Sequence, residues 1–368
     1  MKKHFAVKYI FAAVSFLFFI TFTSAGLVFA ATPSSLKEET SVQPAGQPKV
    51  ETDPFNLNIT KLKDKDPFVR RQGAEGLGNL RDQRAIPYLM NALNDSSPLV
   101  RQSAVDALGL MRAAQSVKQI GALLVGDKEP QVRQSAAVAL GYIGGSEGQS
   151  YLIKALADPV AGVKYSAAAS LGQIRSPEAV TALQGALSDS DAGMRRSVLV
   201  ALDRSEDSSP LPAVRSMLND TDPVVRALAA KFVGKFKDAE ARAQLQEMLK
   251  DTDNRVVIAA AYSLGRIGDH SGLSAVSKIV KSPDSDVTAK TMAIEALEAI
   301  ATPQAIEIIK GLASDADEYV KTSARYALIR MKVPPESPAT KGKTPASGTS
   351  SSHNKNSISP QKESSPKK

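Results

Sequence analysis

The sequence predicts an all-α fold, a right-handed α-solenoid (superhelix) of about nine helical hairpins. Two observations predict it. A marker position, usually Arg or Lys, recurs every 31 to 33 residues, and Leu or Val follows each marker seven residues later. The apolar residues of each unit are spaced by three or four, which lines one face of a helix. A single unit is smaller than the ~40 residues at which unaided domains become feasible, so neighbouring units must bury each other's apolar faces.

Comparison of the chain with itself defines the register of the units. The segment DPFVRRQGAEGLGNL from Asp66 recurs, for example, as DPVVRALAAKFVGKF from Asp222. The last unit stops after its first helix, near Met331, which predicts a terminal cap. The markers are Arg70, Arg101, Arg133, Lys164, Arg195, Arg226, Val257, Lys290 and Lys321.

Each unit contains signals for two helices. The second helix carries apolar residues 16, 19 and 23 positions after the marker, as in Ile86, Leu89 and Leu93. The first helix starts where a polar residue precedes a proline, whose missing N–H costs nothing at the first helical position. These pairs are Asp66–Pro67, Ser97–Pro98, Glu129–Pro130 and Asp222–Pro223. We interpret the intervening glycines as the C-terminus and turn of the first helix. They are Gly78, Gly109, Gly141, Gly172 and Gly265.

The repeated pattern D-x-x-V-R-x-x-A-x-x-A-L-G-x-I, followed by A-I-x-x-L-x-x-L-L, resembles HEAT repeats, specifically the HEAT-like repeats also found in phycobilisome lyases. The resemblance covers roughly residues 56–331. It implies that the marker arginines form a structural ladder with an aspartate of a neighbouring turn. Val257 departs from the pattern. The arginines concerned are Arg70, Arg101, Arg133, Arg195 and Arg226.

The N-terminus has the pattern of a secretory signal. Three lysines within the first eight residues precede an uncharged stretch from Tyr9 to Ala31. We expect residues 1–30 to be a signal peptide cleaved after Ala30. The stretch also reaches the ~20 residues that span a bilayer, so an uncleaved anchor is the alternative. Both readings describe an exported bacterial protein, in the periplasm or cell envelope, or anchored in the inner membrane and facing the periplasm.

Two segments beside the repeats lack the residues for a core. Residues 31–55 are expected to be a disordered linker, and residues 333–368 a disordered tail rich in Pro, Ser and Lys. The solenoid is expected to occupy residues 56–332. The formal net charge of +8 lies mostly in the N-terminal segment and the tail, which leaves the repeats nearly neutral. Nearly neutral repeats do not favour nucleic acid as a partner.

The repeats carry little catalytic chemistry, and we predict no catalytic, metal or cofactor site. The chain has no cysteine, and of its three histidines only His270 lies among the repeats, where we expect a solvated turn residue. Asp-x-Asp pairs recur between units. We interpret the second Asp as the cap of the next helix and the first as a partner in the turn or the ladder. The pairs begin at Asp189, Asp220, Asp251, Asp284 and Asp315.

The predicted binding surface is the second helix of each unit, which lines the concave side in the folds that this sequence resembles. Tyr and Arg are favoured at interaction hot spots, and exposed Met or Ile beside them indicates a mixed apolar and basic groove in the first three units. The candidate protein-binding residues are Tyr88, Met90, Lys118, Tyr151, Ile153, Lys154, Arg215, Lys278, Ile308 and Lys310.

The predicted function is a non-enzymatic scaffold or adaptor of the cell envelope. As a monomer it would bind a protein or peptide of unknown identity along its curved helical surface, and would meet the membrane only through an uncleaved N-terminal segment. One alternative, implied by the resemblance, is a HEAT-like lyase or chaperone that handles a prosthetic group. A second alternative is a rod that its basic tail tethers to anionic envelope polymers.

Overall fold

The computed structural model describes residues 53–333, in which all regular elements are helices. The predictions for residues 1–30, for most of residues 31–55 and for nearly all of residues 333–368 concern parts of the chain outside this range. The α-helices of the described range are α1 Pro54–Lys61, α2 Pro67–Leu80, α3 Ile86–Ala92, α4 Pro98–Leu110, α5 Val117–Gly126, α6 Pro130–Ile143, α7 Ser146–Ala155, α8 Ala161–Ile174, α9 Pro177–Gly185, α10 Ala192–Ser205, α11 Leu211–Ser216, α12 Pro223–Lys235, α13 Arg242–Met248, α14 Asn254–Arg266, α15 Leu273–Lys281, α16 Val287–Ile300, α17 Pro303–Leu312 and α18 Glu318–Arg330.

The helices alternate between two positions in the repeat. From α2 onward the even-numbered helices are the first helices of their units, and the odd-numbered helices are the second. Each first helix packs on the first helix of the next unit, and from α4 onward each also packs on the second helix of the preceding unit. The predicted all-α solenoid of about nine hairpins is confirmed, and its last unit within the described range consists of α18 alone. Helix α1 precedes the first unit and packs on α2.

The first helices begin where the sequence predicts. Helices α2, α4, α6 and α12 start at the proline that follows a polar residue. The Asp66 carboxylate accepts a hydrogen bond from the Phe68 N–H at 2.9 Å, as a cap should. Ser97 and Glu129 make no such side-chain bond. Their own N–H groups donate instead to the aspartate two residues earlier, so a polar side chain still organises each turn.

The repeated glycines lie inside the first helices, which corrects their interpretation as turn residues. A Cβ on Gly109 would lie 2.8 Å from the Cβ of Ala139 on the next first helix, and one on Gly172 would lie 2.8 Å from the backbone of Ala201. Such contacts are too short for real atoms, so a side chain would force the helices apart. Glycine at this position therefore lets successive first helices touch through their backbones.

Two junctions lack this glycine and are built differently. Asp203 of α10 and Glu298 of α16 occupy the equivalent positions. Lys235 pairs with Asp203 at 3.0 Å, and Arg330 Nε donates to Glu298 at 2.8 Å, so ion pairs join the first helices there. The residue at this single position thus selects between close backbone packing and a bridged junction.

Each first helix is followed, within two residues, by a residue whose backbone φ is positive. This residue lies eleven positions after the marker. Most of these residues are not glycine, although left-handed backbone costs other residues about 1–2 kcal/mol. Many are Arg or Lys, which interact favourably with the carbonyl end of the helix dipole. They are Arg81, Arg112, Gly144, Arg175, Glu206, Lys237, Gly268, Ala301 and Lys332, with φ between 49° and 81°.

The buried side chains form two clusters that meet on α14. Val256, Ala260 and Leu264 belong to the cluster that extends back to α1, whereas Val257 and Ala261 belong to the one that extends to α18. The apolar core therefore follows the stack of helices and has no single centre, as expected for a repeat fold. Within residues 53–333 no helix combines the length and hydropathy needed to cross a bilayer.

Candidate protein-binding surface

The marker arginines connect the turns of successive units. Arg195 donates from Nε and Nη2 to the two carboxylate oxygens of Asp220, at 2.7 Å each, and from Nη1 to the carbonyl of Asp189 at 2.9 Å. The carbonyl of Asp220 in turn accepts from Arg226 at 2.8 Å. A planar guanidinium can make all three contacts at once because its donors form a fixed fork. The same carboxylate contacts join Arg70 to Asp95, Arg101 to Asp127, Arg133 to Asp158 and Arg226 to Asp251.

The other markers make fewer contacts or none. Lys164 reaches Asp189 at 2.6 Å, and Lys290 reaches Asp315 at 3.0 Å, each through its single ammonium group. Val257 has no polar group and is buried. Within the described range Asp284, which follows this unit, has no ion pair. The row of contacts is therefore interrupted between α14 and α16.

The Asp-x-Asp pairs divide two tasks between their members. In the pair of Asp220 and Asp222, the first carboxylate accepts from Arg195, whereas the second accepts from the N–H groups of Val224 and Val225 at the start of α12. Asp191, Asp253, Asp286 and Asp317 cap their helices in the same way. Apart from Asp284, whose carboxylate has no ion pair in the described range, the first carboxylates of these pairs join turns and the second ones cap helices. Among residues 53–333, no three His, Asp or Glu side chains are grouped to hold a metal ion.

The ladder contacts lower the pKa of several aspartates. The hydrogen bond from Arg70 holds the pKa of Asp95 below its usual range, and Lys164 does the same for the pKa of Asp189. Burial by itself would raise the pKa of Asp220, but the hydrogen bonds from Arg195 and from the Asp222 backbone outweigh it. These carboxylates stay ionised at neutral pH, so the turns remain joined.

Several of the predicted binding residues are engaged in packing. The ring of Tyr151 lies against α5, where the position of a Cβ on Gly121 would be 2.4 Å from it. Met90, Ile153 and Ile308 are half-buried and pack on the core. Tyr88 is more exposed, at 42%, and meets Phe55 edge-on with ring centroids 6.2 Å apart. These side chains of the first three units are therefore partly committed to packing.

The predicted basic residues differ in whether they have partners. Lys118 lies 3.8 Å from Glu147, and Arg215 lies 2.8 Å from Asp238. The ammonium of Lys154 lies 5.9 Å from the centre of the Tyr151 ring. Lys310 pairs with Glu307 at 2.8 Å. Lys278, by contrast, has no such partner within residues 53–333 and lines two grooves.

A groove recurs between successive second helices at the same point of three units. It has a volume of about 610 Å³ between α3 and α5, about 320 Å³ between α7 and α9, and about 340 Å³ between α13 and α15. One wall is the leucine 23 residues after the marker: Leu93, Leu156 or Leu249. The binding surface predicted from protruding side chains did not include these depressions. The recurring leucine was the available signal.

A second exposed surface was also missed. Leu110 of α4 and Tyr142 of α6, each nine positions after its marker, are 51% and 47% exposed on the first helices. Helix α18 exposes Tyr319 and Ile329 by 78% and 68%. The apolar residues outside the core are therefore not confined to the second helices.

The fold and its contacts define a class of protein. The family described as HEAT repeats matches residues 56–120, 117–203, 211–291 and 258–329, which together cover most of the chain. The chain therefore belongs to the HEAT-repeat family, as its resemblance predicted. No significant match is found among curated proteins.

Solved structures share the fold at low sequence identity. The chain is 24% identical to the Escherichia coli protein YibA, with a TM-score of 0.51 over 73% of this chain and 98% of YibA. It is 14% identical to Kap95p in a solved structure that concerns the binding of Kap95p to RanGDP. The TM-score is 0.55, and the match covers 75% of this chain and 44% of Kap95p. The CpcE–CpcF phycocyanin lyase of Nostoc is 22% identical, with a TM-score of 0.33 over 76% of this chain and 98% of that one. The first two matches establish a shared solenoid fold.

Proposed function

We propose that this protein is a non-enzymatic scaffold of the cell envelope that binds a protein or peptide along its second helices. The observation that supports it is the groove that recurs at one point of the repeat, between α3 and α5, α7 and α9, and α13 and α15. Equivalent depressions in successive units suit an extended or helical partner, because such a partner can place side chains in several of them.

The ladder supports the same use of the surface. Arg70, Arg101 and Arg133 connect consecutive turns next to the first two of these grooves. A surface held in one arrangement loses little conformational freedom on binding, which favours affinity. Kap95p, which shares this fold, binds the protein RanGDP, and this agrees with a protein partner for the present chain.

Site-specific photo-crosslinking tests the binding surface. A photoreactive residue would replace Ala122 in the first groove or Ala157 in the second, both of which are exposed. A matched control would place it at Val200, exposed by 39% on a first helix. In native cells we expect one discrete crosslinked product from both groove positions and none from the control. Equal products from all three positions, or none from the grooves, would contradict the proposal.

The location in the envelope is part of the proposal and rests on residues 1–30. Fractionation of cells that express the full chain should place it outside the cytoplasm, and deletion of residues 1–30 should return it to the cytoplasm. Replacing Ala30 by a bulky residue should block cleavage and leave a larger, membrane-bound product. A full chain recovered in the cytoplasm would remove the envelope from the proposal but not the binding surface.

Absence of catalysis is proposed on the chemistry of the side chains. Within residues 53–333 each ladder and capping aspartate discussed above already serves a turn, and His270 is exposed. The purified protein should therefore be colourless and should transfer no chromophore to an acceptor. Absorbance above about 300 nm that co-purifies with the chain would favour the lyase or chaperone alternative.

A further inference from the structure

Helix α15 differs from the other second helices in its charges. Among α3 to α17, the cations of the second helices are almost all engaged: Lys118, Arg215, Arg242 and Lys310 lie beside carboxylates, and Lys154 lies over the Tyr151 ring. Among the cations of the second helices α3 to α17 within the described residues, Lys278 and Lys281, both on α15 and both exposed, are the two without an ion pair or ring contact. The exposed positive charge of the second helices is therefore concentrated on one helix.

Nearby carboxylates do not compensate these two lysines. Glu247 pairs with Lys250 at 2.9 Å, and Glu307 pairs with Lys310 at 2.8 Å. Asp269, just before the turn that leads into α15, accepts from Gln246 at 2.9 Å. These three acids already have partners, and Asp284, three residues after Lys281, makes no ion pair with it. No carboxylate of the described range therefore pairs with either lysine, and the positive potential at α15 is directed to solvent.

Two grooves flank Lys278. One, of about 370 Å³, is lined by the hydroxyls of Ser271, Ser274 and Ser277, by Gln304 and by both lysines, and no carboxylate lines it. This wall offers hydrogen-bond donors and positive charge together. It therefore suits a ligand that carries several negatively charged acceptor oxygens.

The other groove has an apolar floor. Leu249, Val257 and Ile279 line it, and Lys278 and Ser274 stand on its edge. Val257 occupies the marker position, where other units have the polar fork of an arginine or the ammonium of a lysine. An apolar side chain at the marker position of this unit therefore contributes to a groove that Lys278 also lines.

We propose that α15 and its two grooves bind an acidic, partly apolar segment of a partner protein; the inference rests on the proposed scaffold function and specifies its partner's chemistry. Carboxylates of the segment lie at Lys278 and Lys281, and an apolar side chain enters the groove over Val257. A phosphate group would leave the apolar floor unused. The two separate ammonium groups also lack the bidentate fork that is favoured for phosphate recognition.

Fluorescence anisotropy with defined peptides tests this assignment on the full chain. The probe is a labelled twelve-residue peptide of alternating Glu and Leu, compared with peptides that carry Gln or Lys in place of Glu. The protein variants are Lys278→Gln with Lys281→Gln, and the charge-preserving pair Lys278→Arg with Lys281→Arg. The matched control is Lys63→Gln with Lys65→Gln, which also removes two exposed lysines but lies outside the second helices. Thermal melts establish that each variant folds.

We expect the Glu peptide to bind and the Lys peptide not to bind. Loss of two partly exposed ion pairs should weaken binding of the Glu peptide to the α15 Gln variant by about twofold to thirtyfold. The Arg variant should bind within about twofold of the native chain, as should the control variant. Binding should also weaken as salt rises from low to physiological concentration.

Three results would overturn the inference. In the first, the Gln peptide binds as tightly as the Glu peptide. In the second, the α15 Gln variant and the control variant weaken binding equally. In the third, inorganic phosphate at millimolar concentration displaces the Glu peptide. The last result would indicate an anion site rather than a peptide surface. Crosslinking at Ala122 and Ala157 is independent of α15, so its persistence would retain the scaffold proposal while the inference fails.

Discussion

The units before Val257 and the unit that begins with it are joined by different forces. From Arg70 to Arg226 every marker is basic and reaches the aspartate of the following turn. At Val257 this contact is missing, the following aspartate, Asp284, has no ion pair in the described range, and the two apolar clusters meet on the same helix. The earlier units are thus coupled through both their apolar core and their turns. The junction of α14 with α16 is coupled through packing, without a marker ion pair.

The difference shows what the marker side chain contributes. All units share the same apolar stripe, so burial contributes to every junction. Arg adds contacts to two turns, Lys adds one contact, and Val adds none. Local stability along the stack should follow this order, because each unit of a solenoid depends mainly on its neighbours.

Acidification should have the largest effect. The pKa values of Asp95, Asp189 and Asp220 are lowered in the folded chain, so their contribution is complete above the unfolded value of about 3.9 and is lost as pH falls through the folded values. Below about pH 4, the junctions of α2 with α4, α8 with α10 and α10 with α12 should lose more protection than the junction of α14 with α16, which no marker ion pair joins. Hydrogen exchange with mass spectrometry at pH 5 and pH 3, corrected for intrinsic rates, measures this. A uniform loss along the chain would mean that the ladder does not matter.

Arg195→Ala should give the largest effect of a single substitution. It leaves Asp220, whose side chain is 6% exposed, without its cation, so unfolding of α10 to α12 should become easier by about 2–4 kcal/mol. Urea titration and hydrogen exchange would measure the change. Lys250→Ala, which removes a pair with 74% exposed side chains, is the control and should cost less than about 0.5 kcal/mol. Similar costs for both variants would refute the assigned role of Arg195.

Replacement of the two aspartates by asparagine compares the regions directly. Asp251→Asn disrupts the pair with Arg226 at 2.8 Å and should cost about 1–3 kcal/mol. Asp284→Asn, at the equivalent place after Val257, should cost less than about 0.5 kcal/mol because no ion pair is lost there. The midpoint of urea unfolding distinguishes the two. A larger effect at Asp284 would show that this junction relies on a contact other than packing.

Exchange of Lys and Arg should give the smallest effects. Lys164→Arg adds a fork at a site where Lys164 now makes one contact to Asp189, and should stabilise α8 and α10 by about 0.5–1 kcal/mol. Arg226→Lys should destabilise its junction by a similar amount, since contacts to the carbonyls of Asp220 and Thr221 are lost. Calorimetry should show a higher melting temperature for Lys164→Arg and a lower one for Arg226→Lys. The same sign for both would argue against graded coupling.

The repeat was readable from sequence because its signals are local. Asp66 followed by Pro67 marks a helix start wherever that helix packs, and the spacing of Leu77 from Arg70 marks a buried face. The glycines were misinterpreted because glycine is common at helix ends and in turns. In this fold Gly109 instead allows Ala139 of the next unit to pack closely against its helix. The left-handed Arg112 carried no local signal at all, since arginine is not typical of that conformation.

The candidate surface was predicted less well for a related reason. Tyr151 looked free on its own helix, but its ring packs against Gly121 of the preceding unit. Lys278 was selected together with Lys118 and Lys310, yet these two have carboxylate neighbours and Lys278 has none within residues 53–333. Which side chains remain available for a partner depends on contacts between units, and periodicity does not report them.

By itself, the sequence determined that the chain is a stack of HEAT hairpins, where the helices begin and which faces they bury, because helix capping and amphipathic spacing act within a few residues. Only the tertiary structure decided that glycines set the distance between first helices, and that α15 keeps two unpaired cations, of which Lys278 lines an apolar groove. These properties arise between residues of different units. Whether a side chain fits, or a charge finds a partner, depends on the neighbouring helix, which the local sequence does not specify.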